Sequence, residues 1–290
     1  AGMHEASARI AGATSSAIGV VCDGRYRRAL SPAGGLHHAH RTRAAGFCVY
    51  NDCAVALAVA LKAGRRVAYV DFDAHHGDGV QAAFYNEPRA LTVSVHESGE
   101  YLFPGTGDID EIGSGEGRGA CLNVPLPPMA GNEAILAAFD RVIAPALGAY
   151  APDIVLTQMG VDTHHADPLT HLTGTLALFP QLAARLHDLV HECSGGRWLI
   201  TGGGGYDPFD VAPRAWTAFI GTVLGHTTSD VALPDEWLCA SRAAGGDPPG
   251  HLLDDPGPGY TPLPDAGFSR TLDQIEHTAL AALRDRFEAS

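Results

Sequence analysis

Val67-Ala68-Tyr69-Val70-Asp71-Phe72-Asp73-Ala74-His75-His76-Gly77-Asp78 joins two unlike halves. The first half is short, β-branched and aromatic, and apolar at odd and even positions alike. A strand of that kind is covered on both faces, as in a parallel sheet. The second half strings carboxylates, imidazoles and glycine along the strand's carboxyl end, where open α/β sheets bind their ligands. Residues two apart at a strand end project to one side, so Asp73 and His75 can close on a single ion.

The same arrangement recurs along the chain. Residues 90–95, 153–159 and 198–201 read as further buried strands, and 29–31 as a short one. Helices are expected over 6–21, over 53–62 behind the capping residues Asn51 and Asp52, and near 131–149, 176–192 and 212–224. Residues 243–267 read as a loop rich in Gly and Pro, followed by a last helix over about 271–287. Strands alternating with helices at this spacing imply a doubly wound α/β fold. No boundary divides the chain, so one domain is expected across 1–290, with a core over about 2–226 and a C-terminal loop and helix over 227–290.

Composition narrows the function. A chain of 290 residues with 46% hydrophobic and 18% charged residues buries a sizeable core without disulfides and is not disordered. Nineteen basic against 33 acidic residues leave a net charge of −14, which repels phosphate backbones and argues against nucleic-acid partners. The longest apolar run, 53–61, falls well short of the ~20 residues of a membrane-spanning helix. No charged start followed by an apolar segment opens the sequence, so no signal peptide is expected. Six Cys at irregular spacing, with no C-x-x-C, read as buried or free thiols in a reducing cytoplasm.

Two further strands end in polar residues. Residues 153–159 lead into Gly160-Val161-Asp162, and 198–201 into Gly202-Gly203-Gly204-Gly205-Tyr206. Asp73, His75 and Asp162 would make three N/O ligands with an open fourth position, the arrangement of a catalytic zinc site. The competing reading makes both aspartates helix caps and His75 a core residue. A lone D-x-H favours that reading, and the second Asp after another strand reverses the balance. His37 and His38 follow Gly34-Gly35-Leu36. One could take a proton from water while the other carries charge, each steadied by a carboxylate such as Asp71 or Asp78. Alone, His37-His38-Ala39-His40 would read as a solvated His-rich loop. The Tyr206 phenol could stabilise an oxyanion, or the glycine run could simply turn a loop. His164-His165 carries no assigned role.

Five segments in order resemble the histone deacetylase family. They are Gly34-Gly35-Leu36-His37-His38, residues 46–52, residues 70–79, Phe103-Pro104-Gly105-Thr106-Gly107-Asp108 and residues 202–206. Residues 2–7 and 167–172 resemble its bacterial acetoin-utilisation branch. The resemblance implies a three-layer αβα fold of the arginase/deacetylase kind, with a mostly parallel central sheet. It also implies a zinc-dependent amidohydrolase acting on acetyl-lysine in a protein or peptide. Carried over, Asp73, His75 and Asp162 would hold Zn²⁺, with Fe²⁺ fitting the same donors nearly as well. His38, paired with Asp78, would be the general base; His37, paired with Asp71, would tune charge; Tyr206 would polarise the carbonyl. Gly46, Phe47, Phe103 and Leu169 would line the channel for the lysine stem, and Glu5 would grip the substrate backbone. A potassium ion would sit against Asp71, Asp73, His75 and Ser94. Relatives carry more chain ahead of the helix near His4, so the family's N-terminal part, with a rim loop and an arginine of a product channel, is expected to be missing here.

Three other readings stay open. An acetylpolyamine or other small amide would use the same chemistry, and an inactive acetyl-lysine-binding or partner-binding scaffold would use none of it. A dinuclear manganese ureohydrolase shares Asp73-Ala74-His75. In this chain, however, His164 stands where a second Asp would follow Asp162, and His76-Gly77 interrupts the first cluster.

Overall fold

The computed structural model describes residues 2–229, 231–253 and 268–287. Six strands, β1 (Arg28–Ser31), β2 (Val67–Asp71), β3 (Ala90–Glu97), β4 (Cys121–Leu126), β5 (Ile154–Gln158) and β6 (Trp198–Thr201), form one sheet in the order β1-β6-β5-β2-β3-β4. Every pairing is parallel. The helices are α1 (Met3–Cys22), α2 (Asp52–Lys62), α3 (Asp78–Phe84), α4 (Asn132–Ala138), α5 (Ala144–Tyr150), α6 (Leu178–Ser194), α7 (Val211–Val223), α8 (Asp235–Ala243), α9 (Phe268–His277) and α10 (Ala279–Phe287). This is the expected α/β architecture, with β4, α3 and α8 added to the elements read from the sequence.

Strand residues supply the core on both faces. Tyr69, Ile154, Leu156 and Leu199 pack with Ile18 and Val21 of α1 and Cys53 and Leu57 of α2. Their strand neighbours Val70, Val155 and Trp198 turn the other way, onto Leu147, Leu186, Phe219 and Leu283. Every position of β2, β3, β5 and β6 is buried, the pattern that a parallel sheet between two helical layers requires. Leu156 lies fully buried in β5, second from β1 within the sheet. Leu156→Ala should cost about 3 kcal/mol, read as a lower urea midpoint at unchanged slope.

Local chemistry sets the element ends. The Asn51 side chain accepts the Ala54 N–H at 2.8 Å and starts α2 as expected. The single helix expected near 131–149 is instead α4 and α5 joined by a π-helical turn, Phe139–Ile143. An extra residue in such a turn rotates the following helix face, which keeps Val142 and Ile143 in the core beside Leu147. The last helix starts at Phe268 and breaks at Thr278, giving α9 and α10. Residues 254–267 of the expected loop lie outside the described residues. Among the described residues, no helix is long and apolar enough to cross a membrane.

Candidate active site

The carboxyl edge of the sheet gathers the residues read from sequence. β2 ends at Asp71 and runs on through Asp73 to His75, and β5 ends at Gln158, four residues before Asp162. Donor atoms of Asp73, His75 and Asp162 lie within 4.8 Å of one another, and all three residues are buried. His75 Nδ1 stands 3.1 Å from Asp73 Oδ1 and 3.0 Å from Asp162 Oδ2. The other carboxylate oxygens are held from behind. Asp73 Oδ2 accepts the Gly204 N–H and the Gln158 amide, each at 2.7 Å, and Asp162 Oδ1 accepts the Ala74 N–H at 2.8 Å.

Two buried carboxylates this close repel. Burial and the Asp73 charge together push the Asp162 carboxyl above its ordinary range. Burial works against His75 carrying charge, yet its hydrogen bonds to Asp162 and Asp73 hold it up to about 10. The site thus calls for positive charge, and two carboxylates with one imidazole are the donor set of a divalent ion. The residues fit such an ion.

Gly204 explains the glycine run. A Cβ there would lie 2.2 Å from Asp162 Oδ2 and 2.9 Å from Asp73 Oδ2. The backbone presses on both carboxylates and donates to that of Asp73, so the run serves close approach.

Both histidine pairings occur. His37 Nδ1 lies 2.7 Å from Asp71 Oδ2, and His38 Nδ1 lies 2.7 Å from Asp78 Oδ1. Asp71 Oδ2 also accepts the Tyr69 hydroxyl at 2.6 Å. The turn ahead of the pair is fixed by Asp52, which accepts the N–H groups of Gly35 and Leu36. With each Nδ1 on its carboxylate, the two Nε2 atoms face each other 3.0 Å apart. Burial opposes charge on His37, but the Asp71 and Asp73 charges prevail and raise it to about 9. Burial and the His37 charge lower His38. His38 is therefore the neutral partner.

Aromatic rings stand beside the histidines. The Phe103 centroid lies 5.0 Å from that of His38, Phe47 lies 5.9 Å from Tyr206, and Tyr206 lies 6.3 Å from His75. Phe47 is 82% exposed, and Phe103 and Leu169 are also exposed. Gly46 has φ +49°, and a Cβ there would fall 2.1 Å from His38 Cδ2; only glycine lets this loop cross the imidazole. Burial, then the charges of Asp73 and Asp162, raise the Tyr206 phenol, which stays a hydrogen-bond donor at neutral pH.

The remaining expected residues lie further out. Glu5 is exposed in the first turn of α1, whose neighbouring His4 reaches the Tyr50 hydroxyl at 2.9 Å. Ser94 pairs in register with Asp71 across β2 and β3, and its hydroxyl meets His96 at 2.9 Å.

Sequence reading left Gln158 and Asp167 without roles and made Asp52 only a helix cap. Gln158 ends a strand beside the site, a signal that was available. Asp167 accepts the Tyr206 N–H at 2.8 Å and the Leu169 N–H at 2.9 Å, tying phenol and rim to one carboxylate across 39 positions of sequence. No local pattern announces that.

The chain is similar to known proteins over most of its length. The chain is 44% identical over 239 residues to the acetoin utilization protein AcuC of Bacillus subtilis, covering 82% of this chain and 62% of that protein. It is 38% identical over 237 residues to the AcuC proteins of Staphylococcus xylosus and Staphylococcus aureus, covering 81% of this chain and 62% and 61% of theirs. The chain thus spans less than two thirds of the length of these curated relatives. The family model of the histone deacetylase domain matches residues 1–223, which include every polar residue of the cluster. By that match, the chain belongs to the histone deacetylase family.

Proposed function

We propose that this chain hydrolyses the acetyl amide of lysine side chains in proteins or peptides. The observation that carries this reading is the convergence of the Asp73, His75 and Asp162 donor atoms within 4.8 Å, beside a carboxylate-backed imidazole pair and a protonated phenol. A neutral amide needs an electrophile for its carbonyl, a base for water and an acid for the departing amine. Asp73, His75 and Asp162 would hold the ion, Zn²⁺ or Fe²⁺ by donor type. Once bound, it supplies Lewis acidity and brings the pKa of water to about 7.

The chain's own groups do the rest. His38 receives the water's proton at Nε2 while its Nδ1–H stays on Asp78, and later returns that proton to the lysine nitrogen as the C–N bond breaks. His37, anchored on Asp71, keeps positive charge beside it. Tyr206 donates its O–H to the carbonyl oxygen as negative charge grows there. Phe47, Phe103 and Leu169, with Gly46 leaving room, flank the aliphatic stem, and the exposed rim leaves space for a polypeptide. Potassium at Asp71, Asp73, His75 and Ser94, and a substrate contact from Glu5, belong to the same proposal.

The test is acetate release by metal-free protein given Zn²⁺ or Fe²⁺, with acetyl-lysine peptides and acetylpolyamines in parallel. Hydrolysis of peptides restored by metal and absent with chelator is expected. Faster release from acetylpolyamines would move the substrate to small amides. No release from either with both metals would leave a binding scaffold.

A further inference from the structure

Asp78 serves two imidazoles. Its Oδ1 lies 2.7 Å from His38 Nδ1, and its Oδ2 lies 2.9 Å from Nε2 of His40. The His38 side chain is 7% exposed and that of His40 20%, so the carboxylate links a buried ring to one at the surface. Arg43 stands on the outer side, with a guanidinium nitrogen 2.9 Å from the same His40 Nε2. The His40 N–H donates to the Arg43 carbonyl at 3.0 Å, which closes the turn between them.

One ring nitrogen cannot satisfy both neighbours. A guanidinium only donates and a carboxylate only accepts, so Nε2 either carries a proton for Asp78 or offers a lone pair to Arg43. Burial decides between them. Arg43 is exposed, and water can replace its partner. Asp78 is 8% exposed, and a buried carboxylate oxygen left without a donor is costly. The proton therefore belongs between His40 and Asp78. Burial alone would raise the Asp78 carboxyl, yet its hydrogen bonds from His38 and His40 hold it below its ordinary value. A carboxylate gripped at both oxygens cannot rotate about Cβ–Cγ. Gripped at one, it can swing and carry the His38 ring with it.

We infer that His40 is a positioning residue for the base: its Nε2–H holds Asp78 Oδ2, so that Oδ1 aims the His38 ring. The inference rests on the reading of His38 as base in amide hydrolysis. It absorbs the third histidine of His37-His38-Ala39-His40, which sequence alone made a member of a solvated loop.

Gln can place an N–H near the position of Nε2, whereas Asn is a carbon shorter and reaches only as far as Nδ1. In Zn²⁺-loaded full-length chain acting on an acetyl-lysine peptide, His40→Ala and His40→Asn should lower kcat by about tenfold, the low end for loss of an outer-shell partner. KM and Tm should stay put, and His40→Gln should recover most of the loss. A second readout needs no turnover. In proton NMR of the metal-free protein, the downfield His38 Nδ1–H resonance should persist in wild type and His40→Gln and vanish into exchange in His40→Ala. Unchanged kcat and an intact resonance in His40→Ala would overturn the inference, as would His40→Gln behaving like His40→Ala. If wild-type protein releases no acetate, the proposed activity fails, and the resonance alone still decides the role of His40.

Discussion

Tyr206→Phe should lower kcat on an acetyl-lysine peptide by about a hundredfold or more and leave KM nearly unchanged, since removing one oxyanion donor costs about 10²–10³ in kcat. The substitution deletes one oxygen and keeps the ring that stands 5.9 Å from Phe47. Burial and the neighbouring carboxylate charges raise the phenol, so at neutral pH the group being lost is a donor, never a phenolate. A donor aimed at the carbonyl oxygen gains most when that oxygen becomes anionic. Its loss therefore falls on the transition state and shows in kcat rather than in ground-state binding. Steady-state kinetics on metal-loaded protein settle the matter: an unchanged kcat would remove Tyr206 from the chemistry, and a raised KM at constant kcat would make it a binding residue.

The difference between Tyr206 and Asp167 shows what sequence could reveal here. Tyr206 follows a glycine run directly after a strand, and strand ends are where α/β folds place their chemistry. Strands β2, β5 and β6 are legible because each is apolar on both parities, and the polar residues after them mark the edge. Asp167 acts through backbone N–H groups of Leu169 and Tyr206, and such bonds leave no trace in side-chain identity. Strand β4 escaped for a different reason. Asn123 and Pro125 sit inside it, and proline within an apolar run argues against a central strand. The sheet order resolves the conflict: β4 is an edge strand, where a missing N–H costs no ladder bond. The Asn123 amide turns to Gln81 Oε1 at 2.9 Å. Edge position is a property of the whole sheet, invisible in any local window. The close approach of the glycine run to Asp73 and Asp162 is equally hidden, because it depends on carboxylates that arrive from two other strands.

Asp162→Asn should abolish both hydrolysis and the response of the fold to metal. In the wild-type site, Oδ1 of Asp162 is committed to the Ala74 N–H and Oδ2 faces His75. An asparagine keeping the Ala74 bond must turn its NH₂ toward His75 and the ion position. That places two donor hydrogens where a cation needs a lone pair and removes one of two negative charges. A ligand that binds only the native state stabilises it by about 4 kcal/mol at a thousandfold excess over its Kd. Zn²⁺ should therefore raise the wild-type Tm by several degrees and leave that of Asp162→Asn unmoved, with turnover down by at least about a thousandfold if metal and base together supply the rate. Calorimetry separates this from misfolding, since the metal-free variant should melt cooperatively on its own. Gly204→Ala gives an independent route to the same loss without touching a donor atom. Its Cβ would lie 2.2 Å from Asp162 Oδ2, so either the glycine loop or the carboxylate must move away from the shared position. If both variants kept the full Zn²⁺-induced rise in Tm, the ion would be bound elsewhere, and the convergence of Asp73, His75 and Asp162 would be an accident of packing rather than a metal site.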